Sequence, residues 1–89
     1  MASLVFKTPL TKNDNEKLKD QFSKIVCQRL KILREKSGLT QQELSDKAGL
    51  HLTYVGHLEL GKYHPSTFVL WKIAQVLKIS LDSLTSDSD

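Results

Sequence analysis

Thr40-Gln41-Gln42-Glu43-Leu44-Ser45-Asp46-Lys47-Ala48-Gly49-Leu50-His51-Leu52-Thr53-Tyr54-Val55-Gly56-His57-Leu58-Glu59-Leu60 contains two short helical signals separated by one glycine. Thr40 and Glu43 have the spacing of a capping box, in which the Thr hydroxyl and the Glu carboxylate satisfy each other's backbone amides. A short helix then runs to Ala48, where Gly49 stops it by tolerating positive φ. After a turn of two or three residues a second helix is expected from His51 or Leu52 to Leu60. Ser45 is small enough for a close helix crossing, and Leu44, Ala48, Leu50, Val55 and Leu58 are placed to pin both helices to a common core.

The flanking sequence extends the helical pattern in both directions. Upstream, Leu18, Phe22, Val26, Leu30 and Leu33 recur at spacings of four and three, which predicts one apolar stripe on a long helix from Asn13 to Ser37. Asn13 or Asp14 is the expected cap, and Gly38 the expected stop. Downstream, Gly61 ends the second short helix and Pro65-Ser66 opens another, with Leu70, Ile73, Ala74 and Leu77 on one face. Ser80 can cap a last short helix carrying Leu81 and Leu84. No segment alternates with the period of a strand. The expected architecture is all-α, five helices in one domain over residues 13–85, with a flexible N-terminal arm at 1–12 containing Pro9 and a disordered tail at 86–89.

Composition narrows the function classes. Eighty-nine residues suit one domain, and a chain of this size buries only roughly 60–65% of its unfolded surface. No apolar run approaches the ~18 residues of a membrane span, and Lys7 and Pro9 follow Leu4-Val5-Phe6 too closely for a secretory signal. The lone Cys27 precludes an internal disulfide framework and fits a reducing, cytoplasmic setting, with the side chain as a small, mostly buried filler. Residues 1–36 carry nine Lys or Arg against four Asp or Glu, whereas residues 37–89 carry four against six. That asymmetry suits a polyanion partner, and it equally suits a solvated face built from Lys17, Lys19, Lys24 and Lys31.

Two short helices braced in this way form a helix-turn-helix, whose second helix enters the major groove of DNA. Arg29 to Arg34, Gly38 to Leu44, Ala48-Gly49-Leu50, Thr53-Tyr54-Val55, Leu58-Glu59, Gly61-Lys62, Pro65-Ser66, Lys72-Ile73-Ala74 and Ile79 to Leu84 together resemble the lambda-repressor/Cro-type family of DNA-binding domains. The likeness covers about residues 25–85. Thr53-Tyr54-Val55 with Gly56 looks most like the restriction–modification controller proteins. The resemblance implies a lambda-repressor-like fold with an extended first helix, no cofactor, and double-stranded DNA as partner.

Roles follow residue by residue from that resemblance. Arg34 and Glu59 match a buried ion pair between the first helix and the end of the recognition helix. Thr40 and Gln41 match phosphate-holding positions at a helix start. Lys62, Tyr63 and His64 stand in the loop that meets the backbone, and Tyr54 is placed for either a phosphate contact or packing. His51, Leu52, Thr53, Gly56 and His57 are the expected base-facing positions. Leu52 and the Thr53 methyl suit a thymine methyl, and His57 suits a guanine or a phosphate. The recognition helix departs from the common pattern in lacking Arg, Lys, Gln and Asn. Preference for sequence then falls to DNA shape or to an arm residue such as Lys7 or Lys12.

Such modules usually act as two-fold dimers. Phe68 and Trp71, one turn apart and off the core face of their helix, form the expected dimer surface together with Leu81 and Leu84. The family usually has a large aliphatic residue at the position of Thr67, so Phe68 folding inward is the alternative. His51, His57, His64 and Cys27 lack metal-ligand spacing, and no nucleophile–base set or phosphate-cradling glycine loop is evident, so an enzyme is not expected. The leading expectation is an operator-binding transcription regulator, repressing or autoregulating as a homodimer in the cytoplasm. With little chain after the last helix, compact phage, plasmid or controller types fit best. The competing reading is a protein-interaction module, such as an antitoxin that neutralises a toxin.

Overall fold

The computed structural model describes residues 11–86. The arm residues before Thr11, including Lys7, and residues 87–89 lie outside the described part. Five α-helices follow in order: α1 (Lys12–Lys36), α2 (Gln41–Lys47), α3 (Tyr54–Glu59), α4 (Thr67–Leu77) and α5 (Leu81–Thr85). The described residues contain no strand.

α1 starts one residue earlier than its apolar stripe indicates. Thr11 is the cap, accepting the Asp14 amide hydrogen on Oγ1 at 3.0 Å, while Asp14 Oδ2 accepts the Thr11 amide at 3.1 Å. Asp14 therefore closes a capping box as its third residue and is not itself the cap. Lys12, expected in the arm, is helical. At the other end Gly38 takes φ +75°, as a helix stop requires.

α2 starts at the expected capping box, with Thr40 Oγ1 accepting the Glu43 amide at 3.1 Å and Glu43 Oε1 accepting the Thr40 amide at 2.9 Å. α3 begins later than expected, at Tyr54. Residues 51–53 are occupied by a turn in which the His51 carbonyl accepts the Tyr54 amide hydrogen at 2.9 Å. Gly49 at φ +67° reverses the chain just before it, and the Leu50 amide closes back on the Ser45 carbonyl at 2.8 Å.

The core draws on every helix. Leu30 of α1, Leu44 of α2, Val55 and Leu58 of α3, Ile73, Ala74 and Leu77 of α4 and Leu84 of α5 are buried in one cluster. At roughly 1.5–3 kcal/mol for each fully buried aliphatic side chain, this cluster is the main favourable term in so small a domain. Leu84 corrects an expectation: it is fully buried, with no surface left for a dimer contact. α5 has only five residues, and its one inward-facing leucine is needed to close the core against α1 and α4. Leu81 remains half-buried. Arg29 Nε donates to the Ser83 carbonyl at 2.9 Å and ties the first helix to the last.

Candidate nucleic-acid interface

The pose of α3 is set from outside α3. Thr53 precedes the helix with φ −93° and ψ 0°, and its side chain makes no capping bond. The cap comes instead from Ser45 in the middle of α2, whose buried hydroxyl accepts the Val55 amide hydrogen at 3.0 Å. Its small volume was legible in the sequence; its role as a donor-satisfying cap ten residues away was not.

A second tie fixes the far end. Arg34 grips Glu59 with two parallel bonds, Nε to Oε2 at 2.7 Å and Nη2 to Oε1 at 3.1 Å, and its Nη1 donates to the Leu39 carbonyl at 2.9 Å. The two side chains are only 11% and 5% exposed. The hydrogen bonds that Arg34 donates to Glu59 raise its guanidinium pKa above the ordinary value, against the opposing effect of burial. Gln41 Nε2 adds a third donor to Glu59 Oε1, at 3.0 Å. α1, α2 and α3 therefore meet on one carboxylate.

Between these ties a strip of side chains is left open. His51, Leu52 and Thr53 are exposed in the turn, with Leu52 at 53%. The Thr53 hydroxyl lies 3.0 Å from His51 Nδ1, so the two orient each other. His57 is half-buried on α3, and its Nδ1 lies 3.1 Å from the Tyr63 hydroxyl. Tyr63 also packs edge-on to the His57 ring and, with centroids 5.0 Å apart, on Tyr54. Tyr54 packs against the core, and this burial raises its phenol above the ordinary value. Lys62 and His64 are exposed in the loop after α3, where His64 Nδ1 is 3.0 Å from the hydroxyl of Ser23 on α1. Thr40, exposed at the start of α2, accepts a bond in its capping box and keeps its own hydroxyl hydrogen for an outside acceptor.

Gly56 does not stand in that open strip. The Gln41 side-chain amide lies over it, with Oε1 3.0 Å from the point a Cβ would occupy. Sequence reasoning placed both residues near DNA separately and did not place them together. Phe68 and Trp71 lie on α4, both exposed, with near-parallel rings 6.4 Å apart. Phe68 does not fold inward. Lys72 Nζ sits 5.1 Å from the Phe68 centroid. Cys27 is half-buried, and its thiol donates to the Leu58 carbonyl at 2.9 Å.

The helix-turn-helix family model matches residues 30–84, from the second half of α1 through Leu84. The chain belongs to the helix-turn-helix family. It is 39% identical over 56 residues to an uncharacterised HTH-type transcriptional regulator of Archaeoglobus fulgidus, an alignment covering 63% of this chain and 80% of the relative. It is 34% identical over 62 residues to the immunity repressor protein of Bacillus phage phi105, covering 70% of this chain and 43% of the repressor. Among solved structures it is similar to the restriction-modification controller protein C.AhdI from Aeromonas hydrophila, with 37% identity and a TM-score of 0.65 over 67% of this chain and 91% of the controller. This helix-turn-helix protein is thus a DNA-binding regulator of transcription. Among its described residues no helix is long and apolar enough to cross a membrane, and no group of three or more His, Cys, Asp or Glu could hold a metal ion.

Proposed function

We propose that this protein binds an operator as a homodimer in the cytoplasm and represses or autoregulates transcription, in the manner of a phage repressor or a restriction–modification controller. The observation that carries the reading is the exposed strip of His51, Leu52 and Thr53, flanked by His57 and Tyr63 and braced by Ser45 on one side and Arg34–Glu59 on the other. A recognition element needs side chains free of the core on a backbone that cannot tilt, and this arrangement supplies both. Thr40, Lys62 and His64 border the strip and serve the phosphates, with Tyr54 positioned by packing beside them.

The role is one of binding without catalysis. One module of this size covers little DNA, and two recognition helices ~34 Å apart read successive major grooves. Phe68 and Trp71, with the half-exposed Leu81, provide the self-complementary apolar patch that a two-fold interface uses. The controller protein and the phage repressor among its relatives support the same reading.

The test compares binding to random duplex DNA and to fragments from upstream of the protein's own gene across a salt series. A preference of ~10³-fold or more that persists at physiological salt is expected, reduced by Thr53→Ala and by His57→Ala. Equal binding to both, lost steeply as salt rises, refutes operator reading. The exposed aromatic patch would then favour a protein partner, as for an antitoxin.

A further inference from the structure

The recognition helix has no side chain able to make a bidentate base contact, yet a carboxamide does lie on it. Gln41 projects from the first turn of α2 across α3. Its Nε2 donates to Glu59 Oε1 at 3.0 Å, and its Oε1 lies 3.0 Å from where a Cβ of residue 56 would stand. The orientation of the amide is dictated by chemistry. A carboxylate can only accept, so the NH2 group must turn toward Glu59 and the oxygen away from it. Two Arg34 bonds hold the carboxylate in place, which makes it a firm anchor for the amide.

Gln41 is exposed. Beyond the hydrogen given to Glu59, its amide retains Oε1 and a second Nε2 hydrogen, an acceptor and a donor. The same pair of groups matches the N6 amino group and N7 of adenine in the major groove. Gly56 gives the amide its room: a Cβ there would stand 3.0 Å from Oε1, tighter than most real contacts, so the amide would have to shift by a few tenths of an ångström from this position.

We infer that Gln41 is a base-reading residue of this protein, contacting adenine from α2 in the space left by Gly56, with Gly56 its positioning residue. The assignment rests on the operator-binding reading above. It also explains how a recognition helix without Arg, Lys, Gln or Asn can specify a base.

The test is selection from a random-sequence duplex pool by the full-length protein, followed by sequencing, for wild type, Gln41→Ala, Gly56→Ala and the double variant. The wild type should enrich a motif containing an adenine whose preference falls about ten-fold in Gln41→Ala while the other positions hold. Gly56→Ala should lose the same adenine although its melting temperature stays level or rises, since alanine favours helix over glycine. A merely structural role would move stability and binding together. The double variant should be no worse than either single one, because both remove the same contact. A motif unchanged in Gln41→Ala, with affinity lowered equally for all sequences, shows a phosphate contact only and overturns the assignment. A wild type that enriches no motif overturns the assignment and the operator reading together.

Discussion

The hydroxyl of Ser45 in α2 accepts the amide hydrogen of Val55 in α3 at 3.0 Å, and both residues are buried. α3 is only six residues long, too short to persist on its own propensity, and the residue before it makes no side-chain cap. One side-chain oxygen from another helix therefore starts it.

Removing that oxygen isolates its effect. Ser45→Ala keeps the close helix crossing but leaves the Val55 amide buried without a partner, which costs about 1–2 kcal/mol. Urea unfolding should show the midpoint falling with an unchanged slope. Thr53→Ala is the contrasting case. Its hydroxyl caps nothing, so stability should stay within about 0.5 kcal/mol of wild type, and its effect should be on DNA binding.

The Arg34–Glu59 pair gives a prediction with a non-additive signature. Arg34→Met or Glu59→Leu alone strands one charge in a largely buried site, for about 3 kcal/mol of lost stability. The double variant should be markedly more stable than the sum of the two losses, measured as a double-mutant cycle by chemical denaturation. Additive losses would show that the two charges contribute independently.

Glu43 links the fold to acid. Its carboxylate accepts the Thr40 amide, and that bond holds its titration below the usual value near 4.5. A carboxyl group depressed in the folded state binds its proton more weakly there than in the unfolded chain. Its contribution is thus fully present above pH ~4.5 and disappears as pH falls through the lower, folded value. Glu43→Gln retains the capping hydrogen bond but not the titration. Its melting temperature should therefore fall less than that of wild type between pH 5 and pH 3.

Lys78 follows α4 in the left-handed region, at φ +58° and ψ +44°, where a Cβ is a burden. Lys78→Gly should stabilise the domain by about 1 kcal/mol, read as a raised melting temperature. No change would mean that the lost lysine contacts offset the relief.

Trp71 is the only tryptophan, half-exposed beside Phe68, and reports on its own surface. If α4 carries the dimer contact, Trp71 emission should shift to the blue and become less accessible to a quencher as protein concentration rises. Phe68→Ala should move that transition to higher concentration, with the sedimentation coefficient changing in step. Emission constant over the range in which mass doubles would place the contact elsewhere.

What the sequence revealed and what it concealed divide along one physical line. The capping box at Thr40, the positive-φ glycines at 38 and 49 and the stripe from Leu18 to Leu33 are local signals, each read within a turn or two of chain. Glu59 was paired with Arg34 only through a family pattern. The Gln41–Gly56 contact joins two helices with no periodic marker, so neither residue announces the other. The sequence overstates the length of α3 because the turn at His51 to Thr53, closed by the Tyr54 amide on the His51 carbonyl, carries no Gly or Pro to mark it. The burial of Leu84 is not legible because a five-residue helix has too few positions to show which face is apolar. Lys78 carries no glycine to mark its left-handed backbone; tertiary closure between α4 and α5 overrides its preference.

The docking of α1 on α5 has a consequence for how the molecule is made. Leu30 and Leu84 share one core, and Arg29 holds Ser83 across 54 positions of chain. During synthesis the ribosome releases the first helix long before the segment that shelters it, so the recognition unit is complete in sequence while its support is still open on one side. A chain ending before Ser83 lacks both the Arg29 tie and Leu84, so Leu30 loses part of its cover while residues 40–64 are all present. The support of the proposed DNA-facing surface thus depends on residues that the chain acquires only after that surface is complete in sequence.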